Sequence, residues 1–202
     1  MLRLVLVRHG ETFWNQARRI QGSGSDTDLS EMGREQAERL ASLLSEEKVC
    51  AIYSSPLRRA IDTARAIARF HELTVEIVPD LKEIDAGELE GFFLEKLEGG
   101  FAQFLTQCEE GEGLIKMPGG ESLTELGQRS WAAIQQIKEK HPEGIVVVVN
   151  HYFTILTIIC QVLALPLAHI RRMRLTVGSI SILDFGELSP HLVLFNDTCH
   201  LT

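Results

Sequence analysis

The sequence predicts an α/β fold, a three-layer sandwich with a mainly parallel central sheet and helices on both faces. Three observations carry this expectation. Short apolar runs of strand length alternate along the chain with segments of helical periodicity. One run, Ile145-Val146-Val147-Val148-Val149, is β-branched throughout, as befits a parallel strand covered on both faces. Polar, chemistry-capable side chains follow the strand-like runs, at the carboxyl ends where open α/β sheets collect ligands.

Taken in order, residues 2–7 are rich in Leu and Val and read as a buried first strand. Residues 9–30 are polar and glycine-rich, with turns marked by Gly22 and Gly24. Ser30 is suited to cap a helix in which Ala37, Leu40, Ala41 and Leu44 recur at helical spacing. A short strand at 50–53 leads into Ser54-Ser55-Pro56. There Ser55 as N-cap and Pro56 at the first helical position start a helix to about residue 70. Residues 74–78 are strand-like and closed by Pro79.

Over 91–121 the periodicity weakens and Gly and Glu accumulate, so an insertion or lid-like segment is expected there. Ser122 with Glu125 forms a capping-box pattern, and Leu123, Leu126, Ile134 and Ile137 continue a helix to about residue 140. Residues 145–149 form the central parallel strand, an apolar helix follows, and 179–185 with 192–195 read as a closing strand pair. No internal repeat or interdomain linker is visible. At roughly 150 residues per domain, the 202 residues are expected to form a single domain, 1–202, with one embellishment.

Composition narrows the function classes. A formal charge of −8 argues against nucleic-acid partners and acidic membrane surfaces, which need a basic face, but not against one small anionic substrate. The longest apolar stretch, 153–165, is interrupted by Thr157 and Gln161 and falls short of the roughly 20 residues of a membrane span. The run 4–7 is too short for a secretory signal and Arg8 ends it. Cys50, Cys108, Cys160 and Cys199 lie far apart without a CxxC pair, the usage of reduced, mostly buried thiols. These features set the expectation of a soluble cytoplasmic protein.

The chemistry sits at four strand ends: Arg8-His9 after the first, Arg58-Arg59 after the second, Glu83 after the third, Asn150-His151 after the fourth. Transfer of a phosphoryl dianion demands positive charge around its oxygens, and the arginine fork binds two oxygens at once. It also needs a nucleophile, which a neutral imidazole supplies, and an acid for the leaving alkoxide. These residues provide each type.

Arg8-His9-Gly10-Glu11-Thr12, with Asn15 three residues on, resembles the RHGE(T/S)xxN signature of the histidine phosphatase superfamily, in its phosphoglycerate mutase-like branch. The likeness continues through Gln21-Gly22 and residues 29–37, then Ser54-Ser55-Pro56-Leu57-Arg58-Arg59-Ala60 with Thr63-Ala64. It extends to Leu81-Lys82-Glu83-Ile84 with Gly87 and Gly91, and to Val147-Val148-Val149-Asn150-His151. The resemblance implies His9 as the nucleophile that becomes transiently phosphorylated. It implies Arg8 and Arg59 as clamps on the phosphate oxygens and His151 as a stabiliser of the same group. Arg59 is preferred to Arg58 because the clamping arginine of the family directly precedes the alanine. Glu83 would protonate the leaving oxygen and then activate water. Asn15, Gln21 and the backbone near Gly22 would complete the cradle, with no metal or other cofactor required.

Three departures stand out. Asn150 occupies a place where the family usually has Ser or Thr, and Tyr152 one where it usually has Gly. The loop Gly22-Ser23-Gly24-Ser25-Asp26 is longer by one residue, with Asp28 where Pro is common. Tyr152 is expected either to shape the leaving-group pocket or to weaken activity.

Structural readings compete with functional ones elsewhere. Arg58 and Arg65 read as surface charges, and Glu83 has the alternative of a solvated carboxylate among Asp80, Asp85 and Glu88. Phe92, Phe93, Phe101 and Phe104 read as core packing before they read as a lid. His200 lies in a tail that resembles the terminal segment of phosphatase-type members, and reads more readily as structural than as a substrate contact. Rival signatures fail: Asp26-Thr27-Asp28 has no preceding strand, no cysteine is followed six residues on by arginine, and Gly22-Ser23-Gly24 lacks a third glycine.

The expected activity is a metal-independent phosphomonoesterase acting through a phosphohistidine on a small phosphorylated metabolite. Phosphoserine, α-ribazole phosphate and phosphoglycerate-type esters are the candidates that the resemblance suggests. A phosphoglycerate mutase is the alternative within the family, and a phosphate-binding protein without turnover the alternative outside enzymes. Exposed helices are compatible with a homodimer.

Overall fold

The computed structural model of the protein describes residues 1–95, 114–187 and 189–202. Six strands form one sheet: β1 (Leu2–Arg8), β2 (Val49–Ser54), β3 (Val75–Ile77), β4 (Gly144–Asn150), β5 (Ile180–Phe185) and β6 (His191–Asp197). Their spatial order is β3-β2-β4-β1-β5-β6. Strands β1 to β4 run parallel, β5 is antiparallel to β1, and β6 is antiparallel to β5. The sheet is therefore mostly parallel, as expected, with the antiparallel pair confined to one side.

The two faces of the sheet follow from side-chain alternation. Leu2, Leu4 and Leu6 of β1 and Val146 and Val148 of β4 pack against α4 (Leu123–Lys140) and α5 (Tyr152–Val162), through Leu126, Ile134, Ile155 and Ile158. Val5, Val7, Val147 and Val149 face the other way, onto α2 (Glu31–Leu44) and α3 (Arg58–Ala68). On that side the helices present Ala37, Ala41, Ala60 and Ala64, all buried, so small side chains bring α2, α3 and the sheet close together. Burying each Val, Leu or Ile contributes about 1.5–3 kcal/mol, which makes these two layers the main source of stability. Among the described residues no helix is long and apolar enough to cross a membrane.

Most helix starts obey local rules. Ser30 Oγ accepts from Gly33 N at 3.0 Å and caps α2. The Ser122–Glu125 capping box is reciprocal, at 3.1 and 3.0 Å. A single turn, α1 (Phe13–Gln16), is capped in the same way by Thr12 and Asn15. The start of α3 differs from expectation. Leu57 is the N-cap residue and no side chain caps the helix; Ser55 lies two residues earlier, where its hydroxyl accepts from Leu57 N at 3.3 Å and faces His151 Nε2.

Two further expectations are corrected. Of the cysteines, Cys160 is buried whereas Cys50 and Cys199 are exposed, so the thiols are not mostly buried; Cys108 lies outside the described residues. The 91–121 segment is described at its two ends. Its start pairs with the chain after α1, through Ile20 N to Phe92 O (2.9 Å) and Leu94 N to Arg18 O (2.9 Å). Its end is tied down by Glu88 N to Pro118 O and Glu121 N to Asp85 O, both 2.9 Å. Phe92 is exposed rather than core; Phe101 and Phe104 lie outside the described residues.

Candidate active site

The carboxyl ends of β1, β2 and β4 meet at one edge of the sheet, and the chain after β3 closes it. Arg8 sits in register with Asn150 across the β1–β4 pair. His9, directly after β1, is held on both sides by backbone: its N–H donates to Asn150 O (3.1 Å) and its carbonyl accepts from Gly178 N (3.0 Å). Gly10 N donates to Thr63 Oγ1 of α3 at 3.1 Å. The turn that follows is compact because two glycines meet there: a Cβ on Gly10 would stand 2.4 Å from Gly33 O, and one on Gly33 1.9 Å from Glu11 O. The amino end of α2 is thereby pressed against the backbone that carries His9.

His9 is 3% exposed. Its Nδ1 lies 2.7 Å from the Gly10 carbonyl, and a carbonyl only accepts, so Nδ1 carries the proton and Nε2 keeps its lone pair. Burial first, then the charges of Arg59 and Arg8, hold its pKa well below the usual imidazole value. The ring is neutral at physiological pH, the state in which it is a nucleophile.

Arg59 is fully buried. The Ser25 and Gly22 carbonyls accept from Nη1 and Nη2 at 2.6 and 3.1 Å and fix its guanidinium, while Nε has no protein partner. Arg8 is held from another side: Nη1 donates to Leu175 O, its guanidinium carbon lies 5.0 Å from the centre of the Tyr152 ring, and its buried Nε is likewise unpartnered. Burial pulls both arginines down to about 10, so both stay charged at neutral pH. Arg58, by contrast, is exposed and pairs with Asp28 at 2.8 Å, outside the site.

Glu83 is 4% exposed and sits at the amino end of α5. Its oxygens accept from Ile84 N (2.9 Å), Phe153 N (3.1 Å) and Thr154 N (3.3 Å), while the Thr154 hydroxyl donates to Lys82 O at 3.0 Å. Burial raises its pKa; the bonds from Ile84 and Phe153 and the charges of Arg59 and Arg8 oppose that shift without cancelling it. The solvated-carboxylate alternative is thereby removed. A carboxyl whose pKa burial raises, set beside two arginines, is suited to give a proton away.

His151 is fully buried next to His9, with ring centroids 5.1 Å apart, and its Nε2 lies 2.7 Å from Ser55 Oγ. Among the described residues, its buried Nδ1 has no partner. Burial first, and then the charges of Arg59 and Arg8, keep this imidazole well below its usual pKa as well.

Above this floor is a cavity of about 250 Å³ lined by Arg8, His9, Arg59 and Glu83, with Asn15 and Gln21 on one wall. The Gln21 carboxamide oxygen lies 2.9 and 2.7 Å from the Thr12 and Thr27 hydroxyls, and Asn15 Oδ1 accepts from Thr12 N at 3.0 Å. Both amides are thus oriented by their oxygens. The outer wall is mainly apolar, with Ile84, Leu94, Met117, Tyr152, Phe153 and Ile170, and carries two further cations, Arg19 and Arg171.

Six of the sequence candidates, Arg8, His9, Asn15, Gln21, Arg59 and Glu83, therefore line one cavity, and the His151 ring lies 5.1 Å from that of His9. Gly22 does not line it; its contribution is the carbonyl that braces Arg59. His200 is also outside, with Nε2 2.9 Å from Gly178 O, bracing the loop whose N–H holds the His9 carbonyl. Sequence reasoning missed Ser25 and Ser55, and gave Tyr152 no part in holding Arg8. Tyr152 does so with its ring face while its hydroxyl donates to Met173 O at 3.1 Å.

Comparison with known proteins places the chain in a family. The histidine phosphatase superfamily (branch 1) profile matches residues 4–198, and the chain belongs to that superfamily. It is 38% identical to a probable phosphoglycerate mutase GpmB of Yersinia pestis (strain Pestoides F), over 100% of this chain and 95% of the relative. A phosphoserine phosphatase mutant of Entamoeba histolytica, solved with phosphoserine, superposes with a TM-score of 0.90 at 30% identity over 100% of both chains. A putative α-ribazole-5′-P phosphatase of Escherichia coli K-12 superposes with a TM-score of 0.85 at 27% identity, over 97% of this chain and 96% of the other.

Proposed function

We propose that this protein hydrolyses a small phosphomonoester through a phosphohistidine on His9. The observation that carries the reading is the pinning of His9 Nδ1 by the Gly10 carbonyl, which leaves a neutral Nε2 between two charged arginines and a carboxyl of raised pKa. Nε2 attacks phosphorus as the bond to the ester oxygen breaks, and Glu83 gives its proton to the departing alkoxide. The arginines take up the charge that spreads over the phosphoryl oxygens. Glu83, now a carboxylate, removes a proton from water. The resulting hydroxide attacks the phosphohistidine, and phosphate leaves with Nε2 restored. No step calls for a metal ion.

Phosphoserine, α-ribazole phosphate and phosphoglycerate-type esters are the substrates to try first, since proteins similar in fold carry names for those activities. The name of the Yersinia relative favours a second reading, a phosphoglycerate mutase in which the phosphohistidine returns its phosphoryl group to the glycerate. One assay separates these. Purified protein in EDTA is expected to release phosphate from p-nitrophenyl phosphate and at least one of the three esters, and His9→Ala to release none. Isomerisation of 3-phosphoglycerate without net phosphate release would establish the mutase. Tight phosphate binding with no turnover of any ester would establish a binding protein.

A further inference from the structure

We propose that Ser55 is a positioning residue that holds His151 as the tautomer protonated on Nδ1, so that this imidazole meets the phosphoryl group as a neutral hydrogen-bond donor. Ser55 and His151 are both fully buried, and their Oγ and Nε2 atoms lie 2.7 Å apart. A hydroxyl has one proton and two lone pairs. One lone pair of Ser55 Oγ takes the Leu57 N–H at 3.3 Å. Among the described residues, the only acceptor within reach of the hydroxyl proton is His151 Nε2. Were Nε2–H the donor instead, the Ser55 proton would be buried without an acceptor, which native interiors avoid. Ser55 therefore donates, and a neutral ring accepting at Nε2 carries its proton on Nδ1.

The two histidines are then set in opposite senses by their partners. At His9 a carbonyl takes the Nδ1 proton and exposes the lone pair of Nε2. At His151 a hydroxyl donates to the Nε2 lone pair and leaves Nδ1–H as a buried donor with no protein acceptor. With ring centroids 5.1 Å apart, one imidazole is arranged to attack and the other to donate. The Nδ1–H of His151 and the Nε–H groups of Arg8 and Arg59 are all buried and unpartnered around His9, the set of donors that phosphoryl oxygens would satisfy. Ser55 thus stands just ahead of α3 without capping it, and its hydroxyl proton serves the site.

The consequence for turnover rests on the phosphomonoesterase reading, whereas the tautomer is a property of the protein alone. Nitrogen NMR of ligand-free protein labelled at its histidine nitrogens, with His151 assigned from His151→Gln, is expected to show a protonated Nδ1 and an unprotonated Nε2. In Ser55→Ala that preference is expected to be lost. With the best ester, kcat of Ser55→Ala should fall about tenfold and KM change less, since a donor to developing charge acts in the transition state. Ser55→Thr, which keeps the hydroxyl, should recover most of the rate. A His151 protonated on Nε2 in the parent, or a Ser55→Ala variant with the parent kcat, overturns the proposal. Should Ser55→Ala not fold, the parent spectrum and the Thr variant decide. Should the parent turn over no ester, the phosphomonoesterase reading fails while the spectrum still decides the tautomer.

Discussion

At the scale of single residues, the site works by giving ordinary side chains unusual partners. Glu83 is the clearest case. Three backbone N–H groups converge on its oxygens, yet burial outweighs them and holds its pKa above the usual carboxylate value. The sign follows directly: the raised pKa keeps the carboxyl protonated to higher pH, so its role as acid fades as pH rises through that value. The rate of phosphoryl transfer to His9, followed as the burst of released alcohol, should have a descending alkaline limb. In Glu83→Gln that limb should vanish and kcat drop about 10²–10⁴-fold, the usual contribution of a positioned acid. An unchanged limb in the variant would assign the titration to another group.

At the scale of elements, function depends on how closely α2 and the chain after β1 approach. Gly33 lies in the first turn of α2, and a methyl group there would stand 1.9 Å from the Glu11 carbonyl, a backbone atom that cannot swing away. Gly33→Ala should therefore cost at least about 1–3 kcal/mol, the range for overpacking a tight interior. It should also lower kcat/KM by an order of magnitude or more, because the displaced backbone carries His9. Gly127 in α4 is the matched control, since the nearest atom to an added Cβ is Thr157 Cβ at 3.7 Å. Gly127→Ala should stabilise by about 0.5–1 kcal/mol through helix propensity and leave turnover unchanged. Urea denaturation beside the kinetics of both variants checks the pair.

At the scale of the whole molecule, two buried arginines draw charge into the interior of an acidic protein. The carbonyls of Gly22, Ser25 and Leu175 and the face of Tyr152 offset part of the cost of burying the guanidiniums. A bound oxyanion would offset more, so the folded state should be stabilised by inorganic phosphate. At one hundred times its dissociation constant, phosphate adds about 2.7 kcal/mol by mass action. For a chain of this length that corresponds to a rise in Tm of roughly 5–10 °C. Chloride at matched ionic strength should give no such rise. Equal melting in both salts would deny the cavity its anion.

Much of this architecture is legible in the chain because local rules produce it. Alternation in residues 2–7, the β-branched run at 145–149, and the Ser30 and Ser122 caps act within a few residues of themselves. Tertiary packing had only to accept them. The strand ends are likewise local features, so Arg8, His9, Glu83 and His151 stood out by following apolar runs, whereas the preference for Arg59 over Arg58 came from the resemblance to the family.

Pairing between distant positions has no such local signature. Ser55 is a plausible cap by every nearby rule, and only the approach of His151, 96 residues away, claims its hydroxyl. Tyr152 has the bulk of a misfit where glycine is usual, and becomes the platform for Arg8 once α5 is docked. Cys50 is exposed near the amino end of β2 and Cys199 in the turn after β6, placements that residue type does not carry. Residue order alone therefore specified the elements and their order, because burial periodicity and caps are short-range, and the resemblance to the family supplied the candidate reacting groups. The tertiary structure alone decided which atom of each reacting group is free, because that depends on a donor or acceptor delivered from another part of the chain.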